Sequence, residues 1–277
     1  MLVTLNEVLP DAQKNHYAVG LFNTVNLEML QAVILAAEEE RSPVIIGTAE
    51  VLLPYGPLEL IAAPILKMAK EATVPVVVHF DHGLTFDATM KALHLGFSSV
   101  MFDGSTYSDK ENLEKTAEMA KIAHSLGASI EGELGHVGSA DEQAGDTNIY
   151  TDVKQAIDFA KATGVDALAV SIGTAHGKYL VKPKLNIERL KEIRSMVETP
   201  LVLHGGSGLS DNDFKNCIKA GIAKVNIFTD LTVAAYDSFQ NDLPGGTQYL
   251  DMLSHSIESI KNEVVKKIRL FGSNGKG

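Results

Sequence analysis

The feature that most constrains the fold is a repeated alternation between short β-branched runs and longer stretches with helical spacing of apolar residues. The short runs predict eight β-strands, which cover residues 17–23, 43–49, 74–80, 98–103, 128–134, 166–172, 200–204 and 223–228. The clearest helical patterns cover residues 26–40, 111–127, 152–164, 211–221 and 256–272. Strands that alternate with helices pair in parallel through right-handed crossovers.

Two sheet closures agree with this alternation, an open doubly wound sheet and a closed barrel. Eight strand–helix units in 277 residues favour a (β/α)8 TIM barrel, which is an α/β fold. Because no Ser/Pro/Gly-rich linker divides the chain, we expect one domain over residues 1–277. The single cysteine, Cys217, excludes an internal disulfide.

The charge pattern narrows the classes of partner. The formal net charge is −11 and no basic stripe is present, so nucleic acid and anionic membranes are poor candidates. A small anionic substrate remains compatible, because a metal and backbone donors can hold a phosphate inside an acidic protein. The first 20 residues lack the pattern of a signal peptide and no apolar stretch reaches about 18 residues, so we expect a cytoplasmic protein.

Polar residues fall where a barrel places its active site, at the carboxyl ends of the strands. They are Asn23, Asp81, His82, Asp103, Glu131, Glu133, His176, His204 and Asn226. Because strand ends of a barrel surround one mouth, we expect these side chains to lie close together.

Three of these residues, His82, His176 and His204, follow the third, sixth and seventh predicted strands. A catalytic zinc site takes three protein ligands and leaves one position open, and three imidazoles on neighbouring strand ends can supply it. Any one histidine is more often structural, but three at corresponding positions favour a metal. The histidines at 16, 94, 124 and 255 are expected to be structural, and His79 either packs or orients its neighbours.

Carboxylates accompany the histidines. Asp81 is placed to exchange a proton with an oxygen near the metal, or alternatively to orient His82. Glu131 and Glu133 share one strand face and, if it faces inward, need a metal or a positive partner; in another register both would face solvent. We expect Glu133 to be an alternate metal ligand and treat Asp103 as a further candidate ligand.

Glycine-rich turns follow the last two strands, where barrels commonly bind phosphate. In HGGSGLS (204–210), glycines turn backbone N–H groups toward an anion and Ser207 adds a hydroxyl, while Ser210 or Asp211 caps the next helix. The candidate substrate-binding residues of these turns are Gly205, Gly206, Ser207, Asn226, Ile227, Phe228 and Thr229.

The long acidic segment at 135–151 is expected to be a mobile active-site loop, in which Asp141 or Glu142 supplies a base; a solvated loop is the alternative. A metal, an acid, a phosphate cradle and a base together indicate an aldol reaction without a lysine Schiff base. The rival interpretations are another metal-dependent barrel, such as a sugar isomerase or a hydrolase, and a non-catalytic binding barrel.

The same residues resemble the class II ketose-bisphosphate aldolases, in particular the short branch that includes the tagatose-bisphosphate aldolases. The matching stretches are YAVGLFN (17–23), HFDHG (79–83), EGELGHVG (131–138), GTAHGKY (173–179), LVLHGGSGL (201–209) and KVNIFTD (224–230). The resemblance spans nearly the whole chain, including the ending IRLFGS.

The resemblance implies reversible cleavage of a ketose 1-phosphate or 1,6-bisphosphate to dihydroxyacetone phosphate and an aldehyde. Asp81 would be the proton donor, the three histidines would bind Zn²⁺ with Glu133 as a shifting ligand, and Asn226 would contact the enediolate. Na⁺ or K⁺ near the phosphate and a homodimer or homotetramer are further implications. The residues implied to hold the phosphate are Gly177, Gly205, Ser207 and Thr229.

Three departures from the family pattern concern the aldehyde half of the substrate. The loop reads GSADEQ, so Asp141 or Glu142 must replace the usual glutamate, and Leu180 stands where many members have lysine. DGSTY (103–107) replaces the common Asp-Ala-Ser-His, which makes Ser105 a candidate for the aldehyde pocket. Arg269 is a candidate for a distal anion, including across a subunit interface.

Overall fold

The structure is a computed structural model that describes residues 1–137, 150–177, 179 and 183–277. Its strands are β1 (Leu2–Val3), β2 (Val19–Asn23), β3 (Val44–Ala49), β4 (Val76–Gly83), β5 (Ser99–Phe102), β6 (Ser129–Leu134), β7 (Ala167–Val170), β8 (Leu201–Leu203) and β9 (Ile222–Ile227). Its α-helices are α1 (Leu5–Asn15), α2 (Leu27–Glu40), α3 (Leu58–Glu71), α4 (Phe86–Leu95), α5 (Asp109–Ser125), α6 (Val153–Thr163), α7 (Ile187–Met196), α8 (Asp211–Lys219), α9 (Thr229–Asp242) and α10 (Tyr249–Phe271).

Strands β2 to β9 form a closed parallel barrel. Each pairs with the next in chain order, and β9 returns to β2, where Val19 lies opposite Lys224 and Leu21 opposite Asn226. This closure confirms the predicted (β/α)8 TIM barrel and excludes the open sheet. The eight predicted strands correspond to β2–β9, and all residues of these strands except His82 are buried.

The amino-terminal strand and helix were not among the predicted elements. β1 pairs with the start of β4, and α1 begins with a capping box in which Thr4 and Glu7 bond each other's backbone N–H. The helix lies across the amino end of the barrel, where its apolar face joins the interior residues of that end. This cluster consists of Leu5, Val8, Leu9, Ala12, Tyr17, Val19, Leu21, Ile45, Val77, Ala167, Ala169, Val202 and Ala223.

A second and larger core lies between the barrel and its helices. The outer faces of the strands contribute Phe22, Phe80 and Val225, and α10 adds Phe271, which lies 5.2 Å from Phe214 between ring centroids. α10 packs on α2 and α9, so the carboxyl-terminal helix contacts helices from both ends of the chain. None of the helices in the described ranges is long and apolar enough to cross a membrane.

Local signals position the helices that start near the mouth. Asn26 caps α2, as the sequence suggests, because its Oδ1 accepts from the Met29 N–H at 2.9 Å. Of the two candidates for the cap of α8, Ser210 takes the role, with its Oγ 3.3 Å from the Asp213 N–H. These caps fix where each loop at the carboxyl end of the barrel turns into a helix.

Candidate active site

The carboxyl ends of the barrel strands surround a cavity of about 380 Å³. The predicted site residues among its lining are Asn23, Asp81, His82, Asp103, His176, Gly177, Gly205, Gly206, Ser207, Asn226, Ile227, Phe228 and Thr229. The expected convergence of polar strand ends on one mouth is therefore present.

Each of the three histidines at the mouth has one ring nitrogen held by an oxygen acceptor. The three contacts are His82 Nδ1 to Asp103 Oδ2 at 2.7 Å, His204 Nε2 to Glu131 Oε1 at 2.7 Å, and His176 Nδ1 to the Val137 carbonyl at 3.0 Å. An acceptor on one nitrogen keeps the proton there and leaves the lone pair on the other. The arrangement is that of histidines which bind a metal through the second nitrogen.

The second nitrogens of the three rings point into the same space. His82 Nε2 lies 2.8 Å from His204 Nδ1, and the possible ligand atoms of all three histidines lie within 4.8 Å of one another. His176 Nε2 is buried without a hydrogen-bond partner among the described residues. A buried unpartnered nitrogen beside two others would fit a cation such as Zn²⁺.

The pKa values of the histidines follow from burial and from their neighbours. Burial, with the nearby His82 and His204, lowers the pKa of His176 to about 3, so this ring is neutral and ready to bind a metal. Burial also disfavours the charged form of His82, but Asp81 and Asp103 outweigh it and raise its pKa to about 10. Since a metal ligand must be unprotonated, a cation bound here displaces the proton of His82.

Glu133 is the carboxylate best placed to join the histidines. Its Oε1 accepts from the Val137 N–H at 3.0 Å, while its Oε2 is buried without a hydrogen-bond partner among the described residues and lies 3.6 Å from His204 Nδ1. Burial and the nearby Asp103 raise the pKa of Glu133 to about 8, as is typical of a carboxyl that needs a cation. Asp103 groups with His82 and Glu133 rather than with the three histidines, and its Oδ2 holds His82 Nδ1 at 2.7 Å.

Asp81 ends the inward-facing row of β4 and is held by two amides. Its Oδ2 accepts from Asn23 Nδ2 at 2.8 Å and its Oδ1 from Asn226 Nδ2 at 2.9 Å. Burial alone would raise the pKa of Asp81, but positive charge on His82 and Lys224 holds it well below the usual range. The carboxylate is therefore ionised, fixed and exposed to the cavity, and the residue that orients His82 is Asp103.

A break in the regular geometry of β4 brings Asp81 and His82 to the mouth together. The pairing of β4 with β5 shifts register between Phe80 and Gly83, and His82 has a φ of 43°, in the left-handed region. A bulge aims adjacent side chains into one space that a regular strand would send to opposite faces. Gly83 fits because a Cβ there would lie 2.6 Å from the Met101 carbonyl oxygen.

The turns after β8 and β9, where the sequence predicts an anion site, both line the cavity. Gly205 and Gly208 have φ values of 64° and 85°, and a Cβ on Gly205 would lie 2.4 Å from the Ala175 carbonyl oxygen. α9 begins at Thr229 without a side-chain cap, and Thr229 lines the cavity, so the positive end of the helix dipole lies at this wall. Ser207 Oγ lies 3.3 Å from the Phe228 N–H and adds a hydroxyl to the same wall.

Comparison with known proteins decides the family. Residues 3–276 match the family described as fructose-bisphosphate aldolase class-II. The chain belongs to this family. The aldolase is 39% identical to the probable fructose-bisphosphate aldolase of Bacillus subtilis, with 99% of this chain and 98% of that protein covered. It is 41% identical to the sulfofructosephosphate aldolase of Alkalicoccus urumqiensis, with 97% and 96% covered.

Solved structures agree with the sequence comparison. The crystal structure of the YdjI aldolase from Escherichia coli K12 superposes with a TM-score of 0.91 and 39% identity, covering 100% of this chain and 99% of that one. The resemblance stated from the motifs is thus confirmed, and the chain is a class II aldolase that cleaves a phosphorylated ketose to dihydroxyacetone phosphate and an aldehyde. The interpretations as an isomerase, a hydrolase or a silent binding barrel are set aside.

One charged residue of the aldolase site, Lys224, was missed by the sequence interpretation. It is fully buried, its Nζ forms an ion pair with Glu131 Oε2 at 2.8 Å, and it donates to Asn226 Oδ1 at 2.7 Å. With His204 and Lys224 beside it, the pKa of Glu131 falls to about 2 although burial raises it. The signal was available, because Lys224 is two residues before Asn226 and shares its strand face.

Several predicted site residues lie beside or away from the cavity. Ser105 donates its N–H to Asp103 Oδ1 at 3.1 Å, and its Oγ lies 3.0 Å from His136 Nδ1. It therefore contacts two residues of the cavity lining without being part of that lining itself. Arg269 is exposed on α10 and pairs with Glu40 at 2.6 Å on the outer surface, outside the cavity lining. Asp141, Glu142 and Leu180 lie outside the described residues.

The histidines set aside as structural are accounted for in part. His124 pairs with Asp166 at 2.8 Å and His255 with Asp242 at 2.9 Å, both near the surface. His79 is buried in β4, where its Nδ1 lies 2.7 Å from Ser99 Oγ and its Nε2 lies 3.9 Å from Asp81 Oδ1. It therefore packs directly beneath the carboxylate at the mouth.

Proposed function

We propose that this aldolase depends on zinc held by His82, His176 and His204, with Glu133 as an alternate ligand. The observation that carries the proposal is the convergence of three imidazole nitrogens whose opposite ring nitrogens are each held by an oxygen. When bound, the ion supplies Lewis-acid polarisation of the substrate carbonyl and its neighbouring hydroxyl. A buried Glu133 oxygen without a partner among the described residues also supports a cation at this point.

Asp81 is proposed as the group that moves the proton on the aldehyde side. In cleavage, its carboxylate accepts the proton of the hydroxyl β to the keto group, the carbon–carbon bond breaks, and the aldehyde leaves. In the reverse reaction, the aldol addition, the protonated Asp81 returns the proton to the aldehyde oxygen. The amides of Asn23 and Asn226 hold the two carboxylate oxygens for this transfer. The low pKa of Asp81 keeps it in the accepting form between turnovers.

The phosphate of dihydroxyacetone phosphate is proposed to lie against the turns after β7, β8 and β9. Gly177, Gly205 and Ser207 provide backbone N–H groups and a hydroxyl, and the first turn of α9 at Thr229 provides a positive dipole end. Asn226, between this anion site and Asp81, is placed to contact the enediolate formed from the ketone. Na⁺ or K⁺ beside the phosphate is part of the same proposal.

Protonation of the enediolate carbon requires a second acid, and we assign it to Asp141 or Glu142 in the loop over 135–151. Both residues lie outside the described ones; the proposal rests on their place in the chain after β6, the strand that carries Glu131 and Glu133 and ends at the mouth. Asp141 and Glu142 are replaced one at a time. We expect only the variant that lacks the acting acid to show slower exchange of the dihydroxyacetone phosphate proton with solvent.

The aldehyde half of the substrate is proposed to lie against apolar side chains. Ala49, Val51, Leu52 and Leu84 line the cavity, and the described lining contains no lysine or arginine. This wall favours a ketose 1-phosphate over a 1,6-bisphosphate, because a second phosphate would lose water without gaining a cation. Lys178 and Lys182 lie outside the described residues.

The assembly proposed is a homodimer or homotetramer in the cytoplasm, with residues 1–277 acting as one domain. Exposed apolar side chains on α9 and α10 support association, namely Val233, Tyr236, Tyr249 and Leu250. Light scattering coupled to gel filtration measures the assembly directly, and a monomer at micromolar concentration would contradict the proposal.

The experiment that tests the function is a retro-aldol screen of the zinc-loaded protein. Ketose 1-phosphates and 1,6-bisphosphates are supplied in turn, and release of dihydroxyacetone phosphate is coupled to NADH oxidation. We expect cleavage of at least one ketose 1-phosphate and none after chelation. Activity that survives chelation, or trapping by borohydride, would identify a Schiff-base enzyme instead.

A further inference from the structure

We infer that Lys224 is a positioning residue that joins the metal side of the site to the proton-transfer side; this inference deepens the proposed function and rests on it. The residue is among the largest fully buried side chains of the protein. A fully buried lysine is rare unless it is paired, so its presence between two parts of a site needs a reason.

The contacts of Lys224 form one continuous chain. On one side its Nζ pairs at 2.8 Å with Glu131, whose other oxygen holds His204 Nε2 at 2.7 Å. On the other side it donates at 2.7 Å to Asn226 Oδ1, and Asn226 Nδ2 in turn donates to Asp81 at 2.9 Å. The ammonium thus lies between a proposed zinc ligand and the proposed proton carrier.

The Asn226 carboxamide shows why a cation is needed at this position. An amide has one accepting and one donating end, and its orientation is set by its neighbours. Lys224 offers only donors, so it binds the Oδ1 end and directs the Nδ2 end to the Asp81 carboxylate. Without that donor, the amide can turn its oxygen toward Asp81, which would place two acceptors against each other.

A purely structural lysine would act only as counter-ion to Glu131. The two roles separate in variants that first remove the charge of Glu131. Glu131→Gln keeps an oxygen that can accept from His204. The NH₂ that replaces Oε2 offers Lys224 no acceptor, so of these two partners the ammonium keeps only Asn226 Oδ1. The double variant Glu131→Gln/Lys224→Met then removes the donor to Asn226. Because residue 131 is already neutral in this background, the loss of Lys224 does not leave a buried carboxylate without its counter-ion.

The test compares E131Q with E131Q/K224M for zinc affinity, kcat and KM on a ketose that the wild type cleaves. At saturating zinc we expect kcat of the double variant to fall about tenfold or more below E131Q, with KM and the zinc Kd within about threefold, because the change acts through Asp81. Equal kcat in the two variants would reduce Lys224 to a counter-ion and overturn the inference.

A second measurement needs no turnover. In the metal-free proteins, the Asn226 side-chain amide is followed by NMR, with assignment through Asn226→Ala. We expect one slowly exchanging NH₂ pair in E131Q, and faster hydrogen exchange or two conformers in E131Q/K224M. Unchanged exchange would overturn the inference. If the wild type cleaves no ketose, the proposed function fails, while this measurement still decides whether Lys224 orients Asn226.

Discussion

The two ends of the barrel lie on the same strands, but one is lined by apolar side chains and the other by polar and charged ones. At the amino end, Leu21 and Val77 pack against α1 in an apolar cluster. Two and four residues further along the same strands, Asn23 and Asp81 belong to a buried polar network at the carboxyl end. The first end depends on apolar area and volume, whereas the second depends on which atom faces which.

This difference teaches where function and stability reside in the molecule. Buried charges at the carboxyl end have specific partners, such as Glu131 for Lys224 and His82 for Asp103, and removing one partner of such a pair is costly. The amino end depends on close packing of apolar side chains, so substitutions there alter the free energy of unfolding. Variants at the two ends should therefore affect different measurements.

Metal removal should have the largest effect on activity. Chelation leaves the carbonyl unpolarised, so we expect cleavage to fall below about 1% of the zinc-loaded rate and to return with added zinc. The measurement is the coupled assay before and after dialysis against a chelator. Full activity in protein shown to contain no metal would refute the zinc site.

Replacement of Asp81 should come next. Asp81→Ala removes the proton carrier but none of the three histidines, so we expect kcat to fall about 10²- to 10⁴-fold with zinc content unchanged. Rate and metal content are measured on the same preparation, and a preparation that has lost zinc is assayed again after metal repletion. A zinc-loaded variant of near-normal rate would remove Asp81 from the mechanism.

Removal of the acceptor behind His82 should have a smaller effect. Asp103→Ala frees His82 Nδ1, and we expect a loss of about 10- to 100-fold in zinc affinity or activity. Asp103→Asn is the matched variant, because its Oδ1 can still accept from the ring, and it should lose less. The order is checked by zinc competition with a chromophoric chelator, and equal affinity in both variants would contradict it.

The amino end should show the opposite behaviour. Leu9→Ala opens space in the cluster under the barrel, and we expect the free energy of unfolding to fall by about 2–5 kcal/mol with kcat of the folded enzyme unchanged. Leu35→Ala makes the same chemical change on α2, where the side chain is 50% exposed, and should stay within about 0.5 kcal/mol. Urea unfolding measures both; a large loss of kcat in Leu9→Ala would break the division between the ends.

The sequence predicted the barrel because periodicity is a local property, and each of its eight strand runs is buried on both sides. It predicted that His82, His176 and His204 lie close together, because the carboxyl ends of barrel strands surround one mouth. It missed α1, whose apolar pattern is short and interrupted by Pro10, although Thr4 and Glu7 carried the capping signal.

Other details depend on side-chain contacts that no local pattern contains. Lys224 shares a strand face with Asn226, but no local pattern shows that its partner is Glu131, which is more than 90 residues away along the chain. The bulge before Gly83, which turns both Asp81 and His82 into the cavity, depends on how β4 pairs with β5. Ser105 was predicted to touch substrate, and its position behind Asp103 follows from the turn after β5.

The apolar wall of the cavity has a consequence for how such enzymes evolve. Val51, Leu52 and Leu84 lie in the connections after β3 and β4, and none of them takes part in the hydrogen-bonded network that runs through the strands. Substitutions in these connections can reshape the pocket for a new aldehyde while the chemistry stays intact. An ancestral barrel of this kind would diversify by substitutions in the connections after β3 and β4, so new substrates would arise through few mutational steps.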